Sequence, residues 1–295
     1  MNTMIKWLKA SRPHTMGLSF AVIIAGSFLV GYKALRIDIF LLALLSAAGF
    51  QLVSNFANDY GDFKKGTDKH RDENYRALSA GNLTTQQVRN AIIVLSLLSL
   101  ICVVSLVWRS PVPATGKWTM FGLGIASIVA AITYTLGKRP YGYYAAGDMM
   151  VFIFFGIVGV VGSYYLQGGS LEKIQIWLVA GALGSLSTSV LNINNMRDSE
   201  TDKQSGKITI ANVLGQRAII YQYGLSTLAV LGFAGWSWIN PYAAIVLLLT
   251  VLLCLRVIGQ LTHSKTHGDY NQCLAMTVQS TVVIACVTGV VGLFN

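Results

Sequence analysis

Charge is scarce in this chain. Asp, Glu, Lys and Arg make up 12% of its 295 residues, about half of the roughly 25% usual in soluble domains. That excludes an ordinary soluble fold. Cysteine is scarce too: Cys102, Cys254, Cys273 and Cys286 form no CxxC pair, and at least three lie in apolar runs. No disulfide framework or zinc site follows, and small buried apolar side chains account for them. Alternation of apolar and polar residues is also missing, which argues against a membrane β-barrel. What is present is apolar. Hydrophobic residues reach 54%, with a mean hydropathy of +0.56. They come in continuous runs of about 20, the length that crosses a bilayer as helix. The expected fold class is an all-α polytopic membrane protein.

Nine spans are expected, at about 15–32, 39–58, 88–108, 118–137, 146–166, 174–195, 217–238, 241–261 and 272–293. Lys6, Lys9 and Arg12 before the first run imitate a secretory leader. That run is long and more spans follow, so it reads as the first membrane helix. Of the 22 Lys and Arg residues, 17 fall at the N-terminus or after even-numbered spans, counting those at span ends with the nearer loop. The positive-inside rule then places the N-terminus in the cytoplasm and the C-terminus outside.

That rule says little about acids, and the acids are clustered. Eight of the twelve lie in two loops on the cytoplasmic side: Asp59, Asp62, Asp68, Asp72 and Glu73 after span 2, and Asp198, Glu200 and Asp202 after span 6. In the second cluster Asn194, Asp198 and Asp202 are spaced i, i+4, i+8 and stack along one helical face. The first repeats this with Asn58 and Asp62, after which Gly66 offers a helix end and a loop returns Asp68. Asp59 sits about 100° from that face. Stacked carboxylates repel one another, whereas a solvated face mixes signs. An Asn–Asp–Asp face suits a divalent cation, and Mg²⁺ takes oxygen ligands while keeping room for phosphates. Lys64, Lys65, Lys69, Arg71, Arg76, Arg197, Lys203 and Lys207 lie among the acids. Some neutralise the carboxylates or meet lipid headgroups, and such bases beside a metal-carboxylate cluster also suit a diphosphate. An apolar cavity lies directly behind, so the natural ligand is a lipid with a diphosphate head.

The two clusters resemble the paired Asp-rich motifs of the UbiA superfamily of intramembrane prenyltransferases. Arg12–Thr15 ("RPHT") resembles that family's start of helix 1, and "YTLGK" (Tyr134 to Lys138) its Tyr-x-x-x-Lys element. "YRALSAG" (Tyr75 to Gly81) is similar to its Arg-Pro-Leu-x-x-Gly segment, with Ala77 where Pro is usual. "SNFANDYGDFKKGTD", "NNMRDSETDKQSGKIT" and "VFIFFGIVGVVGSYYLQ" are most similar to the 1,4-dihydroxy-2-naphthoate polyprenyltransferase branch. The resemblance covers nearly the whole chain. It implies one transmembrane prenyltransferase domain over 1–295, in the plasma (inner) membrane, with its site on the cytoplasmic side. It implies Mg²⁺ held by Asn58, Asp62, Asp68, Asn194, Asp198 and Asp202, with Asp62, Asp198 and Asp202 as the catalytic carboxylates. Arg76, Lys138 and Lys207 are expected to contact the diphosphate, and Tyr134 to shield the cation or meet the acceptor. The partners implied are a polyprenyl diphosphate, an aromatic acceptor and membrane lipid, with no nucleic acid. The acceptor is 1,4-dihydroxy-2-naphthoate, with 4-hydroxybenzoate, homogentisate, haem or a chlorophyllide as alternatives within the superfamily.

Other polar residues carry simpler expectations. His263 and His267 read as surface histidines at a helix end. Asn55, Asn192 and Asn195 read as interhelical hydrogen bonders, and Gly156, Gly159 and Gly162 as close-packing positions. Asp148 opens span 5 as a helix start or a substrate contact. A cation transporter is the rival from another class, but transporter sites lie near the bilayer midplane between broken helices, and these acids crowd at one surface.

Overall fold

The computed structural model describes residues 3–66 and 78–294. Asp68 and Arg76, together with Asp72 and Glu73, fall outside the described residues. The chain is helical almost throughout: α1 (Thr3–Ser11), α2 (Met16–Phe28), α3 (Ile37–Lys65), α4 (Thr85–Arg109), α5 (Ala114–Thr133), α6 (Gly147–Val151), α7 (Gly162–Leu166), α8 (Ile174–Arg197), α9 (Ser199–Gln204), α10 (Ile210–Leu214), α11 (Ala218–Ile239), α12 (Ala244–His263) and α13 (His267–Leu293). Phe152–Val161, between α6 and α7, is a π-helical stretch in one continuous span.

Among the described residues, eight helical segments are long and apolar enough to cross a membrane, and α2 is a ninth, shorter apolar helix. The protein is an integral membrane protein. The expected first span at 15–32 is thus cut back to Met16–Phe28. The chain turns at Gly31, whose φ of 85° suits a residue without a Cβ. The second span runs the other way: α3 continues past residue 58 to Lys65 and carries Asn58 and Asp62 on the helix itself. It stops where expected, because Gly66 takes a left-handed φ of 72° and its N–H caps Asp62 and Phe63.

Helix α8 is the centre of the bundle. Of its spanning stretch 61% is buried, against 28–44% for the other spans. Its sequence explains how it tolerates that. Ser185, Ser187 and Thr188 donate to carbonyls four residues back, so these hydroxyls need no outside partner. Small residues also let neighbours approach: a Cβ at Gly156 would sit 2.6 Å from the Ala180 carbonyl oxygen and 2.9 Å from Gly184 Cα. Asn192 donates to Gln222 Oε1 at 2.8 Å and to the Ala218 carbonyl at 3.2 Å, fixing α8 to α11. Asn55 does the same for the N-terminal segment, donating to the Ser11 carbonyl (2.8 Å) and Thr15 Oγ1 (3.0 Å). Both behave as expected for polar groups at membrane depth.

Candidate active site

The ends of α3 and α8 reach the same place. Asn58 and Asp62 from α3, Asn194 from α8 and Asp198 at its cap all line one cavity of about 460 Å³, together with Tyr134 and Lys207. The sequence spacing therefore brings its two half-sites together. Beyond the polar end the cavity is apolar, walled by Phe154, Phe155 and Val158 of the π-helical stretch, and it extends to Ala43, Val107 and Leu166 at the opposite end of the bundle. A second cavity of about 1940 Å³ lies between α8 and α13 and shares Arg12, Asn194, Arg197 and Asp198 with the first. The acidic site is thus the junction of two spaces.

Each group is held by neighbours from distant parts of the chain. Asp62 is 6% exposed, and its Oδ1 accepts a hydrogen bond from the Tyr143 hydroxyl at 2.8 Å. Asn58 Oδ1 accepts from Thr135 Oγ1 at 3.2 Å, and that hydroxyl also reaches the Ala57 carbonyl at 2.9 Å. Gly61 makes the contact feasible, because a Cβ there would lie 2.7 Å from the Thr135 side chain. The Tyr143 backbone meets the second half-site: its carbonyl accepts from Ile208 N (3.2 Å), and Ala145 N donates to the Ile208 carbonyl (2.8 Å). Among the described residues this is the one isolated β-bridge, Tyr144 with Ile208. The Lys65 ammonium sits 3.9 Å from the centre of the Tyr143 ring, a cation–π contact.

The second half-site departs from a continuous helical face. Helix α8 gives way to α9 at Asp198, whose φ and ψ are −94° and 6°. The i→i−4 bonding continues across this point, with Asp202 N donating to the Asp198 carbonyl at 2.9 Å, yet Asp202 does not join the cavity lining. It is fully buried and pairs with Lys207, Nζ to Oδ2 at 3.1 Å. Its main chain binds Lys207 as well, accepting from Lys207 N at 2.8 Å. Asp202 is a holder of Lys207, and it is Lys207 that faces the cavity. Burial pulls the Lys207 ammonium down, but the oxygens of Tyr134, Asp202 and Asp62 more than offset that, so it titrates above the ordinary lysine range.

Lys138 is exposed and lines neither cavity. Tyr134 does line the first, edge-on to Tyr141 at 5.3 Å between ring centres. Asp59 is buried away from both cavities and accepts from Leu78 N at 3.3 Å, tying down the chain where it returns to α3. Asp148 is buried at the start of α6, also outside the cavity lining, and is hydrogen-bonded to Tyr221. His267 is more than a surface histidine: it is 60% exposed, yet its Nε2 lies 3.9 Å from Asp198 Oδ1. Sequence reasoning gave Tyr143, Arg12 and Asn271 no role. Arg12 had one local signal, the "RPHT" segment, and its backbone adopts φ 49°, a strained conformation for a non-glycine residue.

Among the described residues, no three His, Cys, Asp or Glu side chains come together as a metal set. The set here is different: two amide oxygens, from Asn58 and Asn194, and two carboxylates, from Asp62 and Asp198, around one cavity. Hard oxygen donors of this kind fit Mg²⁺.

Removal of the Tyr143 hydroxyl tests how far the neighbours matter. A hydrogen bond to a charged group is worth about 1.5–3 kcal/mol. Tyr143→Phe is expected to lower turnover about tenfold and to lower the unfolding midpoint in detergent by the equivalent of about 1.5–3 kcal/mol. Unchanged turnover would separate Asp62 orientation from activity.

An apolar helical bundle with an acidic, cation-bearing mouth over a long apolar cavity defines a membrane protein built for a lipid with a charged head. The chain belongs to the UbiA prenyltransferase family, which matches residues 19–279. It is 40% identical over 254 residues to the 1,4-dihydroxy-2-naphthoate octaprenyltransferase of Escherichia coli K12, covering 81% of each chain. In structure it resembles a UbiA homolog from Aeropyrum pernix K1, with a TM-score of 0.75, 17% identity and coverage of 94% of this chain and 97% of that one. A UbiA homolog from Archaeoglobus fulgidus, bound to GPP and Mg²⁺, gives a TM-score of 0.69 at 17% identity and coverage of 95% and 99%. At these identities the two structures establish the shared fold.

Proposed function

We propose that this chain transfers a polyprenyl group from a polyprenyl diphosphate to 1,4-dihydroxy-2-naphthoate, with loss of CO₂. The observation that carries this reading is the convergence of Asn58, Asp62, Asn194, Asp198 and Lys207 on one cavity that is apolar beyond them. The E. coli relative bears the name of this activity, and the Archaeoglobus homolog binds a prenyl diphosphate with Mg²⁺.

The tail occupies the apolar part of the first cavity, between Phe154 and Leu166. Its diphosphate lies at the polar mouth. Asn58, Asp62, Asn194 and Asp198 would hold Mg²⁺, with Asp68 as a fifth candidate; a cation bound there would supply charge neutralisation for the leaving diphosphate. Lys207 donates to the diphosphate from a fixed position because Asp202 holds it. Arg76 is proposed for the same role, whereas Lys138, exposed and outside both cavity linings, is not. Together these groups favour breakage of the allylic C1–O bond. Tyr134 and Tyr141 present aromatic faces that shield the allylic cation from water. A ring carbon of the dihydroxynaphthoate takes the cation, and the carboxyl leaves as CO₂. The products are diphosphate and demethylmenaquinol, the reduced form of demethylmenaquinone. The protein acts as one domain in the plasma (inner) membrane, with its N-terminus and site on the cytoplasmic side.

The test is product formation by purified protein, read by mass spectrometry, with Mg²⁺ or with EDTA. The expected result is the prenylated naphthalenediol with Mg²⁺ and none with EDTA. Product from 4-hydroxybenzoate or homogentisate, and none from the naphthoate, would move the acceptor to another aromatic. Equal product with EDTA would overturn the metal assignment.

A further inference from the structure

Arg197 holds the oxygens that the metal needs. Its Nε and Nη2 form a fork on Asp198, at 2.7 Å to Oδ1 and 3.0 Å to Oδ2. Nη2 also reaches Asn194 Oδ1 at 3.0 Å, and Nη1 reaches Asn271 Oδ1 on α13 at 2.9 Å. Both carboxylate oxygens of Asp198 and the amide oxygen of Asn194 are therefore engaged by one guanidinium. The pair is sheltered, with side-chain exposures of 12% for Arg197 and 7% for Asp198. A divalent cation bound to the same oxygens would lie within a few ångströms of this positive charge, where repulsion is strong. The two cations compete for these oxygens.

We propose that Arg197 is an exchangeable counter-ion: it occupies Asn194 and Asp198 while no metal is bound, and passes to the diphosphate when Mg²⁺ takes their oxygens. This rests on the Mg²⁺–diphosphate reading given above. The displaced guanidinium gives up a sheltered carboxylate, and the loss of that counter-charge favours a new anion. A diphosphate is that anion, and its paired oxygens fit the guanidinium fork. Arg197 lines both cavities, so it reaches the junction by rotating its side chain, with no movement of α8. Metal alone takes the Asp198 fork from Arg197, and diphosphate alone leaves Asp198 engaged. Each ligand thus favours the other by the same factor, as thermodynamic linkage requires. Arg197 is a positioning residue in this scheme, and its effect is on the order and coupling of binding.

The experiment compares wild type, Arg197→Gln and Arg197→Lys in detergent, using Mn²⁺ as a spectroscopic substitute for Mg²⁺. Each protein is titrated with free Mn²⁺ and, separately, with the preformed Mn²⁺–pyrophosphate complex, with binding read by electron paramagnetic resonance. Wild type is expected to bind the complex at least about tenfold more tightly than free Mn²⁺. Arg197→Gln is expected to bind free Mn²⁺ about tenfold more tightly than wild type, and to lose the preference for the complex. Arg197→Lys keeps the charge without the fork and falls between them. Thermal unfolding identifies a variant that is simply misfolded, and then Arg197→Lys decides. Arg197→Gln binding free Mn²⁺ no better than wild type overturns the proposal while leaving the metal reading intact. Wild type binding neither form overturns both.

Discussion

Asp198→Asn is expected to lower turnover at least about 100-fold, and Asp62→Asn by a similar factor, the usual size of a lost electrostatic contribution to a transition state. Both side chains lie at the cavity mouth, 6% exposed. Asn conserves their shape but removes the charge that holds a divalent cation. Asp62→Asn is expected to fold as wild type does, whereas Asp198→Asn removes the negative charge beside the sheltered Arg197 guanidinium and is expected to fold with a lowered midpoint. In Asp62→Asn the new amide oxygen can still accept from Tyr143, and in Asp198→Asn the new amide can keep one of the two bonds to Arg197. The measurement is turnover at saturating Mg²⁺ beside the unfolding midpoint in detergent. Normal turnover in both variants would sink the metal assignment. A collapse of both midpoints would reassign the two carboxylates to stability.

Lys207→Met is expected to harm stability as well as activity. Its ammonium is the partner, at 3.1 Å, of an Asp202 side chain with no exposure. Breaking a buried pair by removing one member costs about 3–5 kcal/mol, because the remaining charge has lost a buried counter-charge. The unfolding midpoint should fall sharply. The double variant Lys207→Met, Asp202→Asn removes both charges, and most of that loss should return. Turnover should not return, since the cation facing the cavity is still missing. Recovery of turnover in the double variant would show that Lys207 serves Asp202 rather than the substrate.

Much of the site was legible because helical spacing is local. Asn58 with Asp62, and Asn194 with Asp198, are one turn apart, and the helices that carry them formed as their apolar runs required. Gly66 was legible for the same reason: a residue without a Cβ beside the acids marks a left-handed helix end. What failed depended on contacts between distant residues. Asp202 lies at the correct spacing from Asp198, yet its carboxylate is buried against Lys207, five residues on, and lines neither cavity. Tyr143 meets Asp62 across 81 positions and Arg197 meets Asn271 across 74, and no periodicity reports such pairs. The π-helical stretch at Phe152–Val161 was equally hidden, since its glycines read as packing positions and give no sign of a changed helical pitch.

The bridge between Tyr144 and Ile208 bears on how the protein is made. Translation delivers Asp62 first, then Tyr143, then Ile208, and Asn271 last of these. The loop that carries Tyr143 is secured only after Ile208 has been synthesised, and Arg197 gains its outer tether only once α13 has entered the membrane. The outer brace of the second half-site is therefore its latest part to be made, supplied by α13 where it packs against α2 and α8.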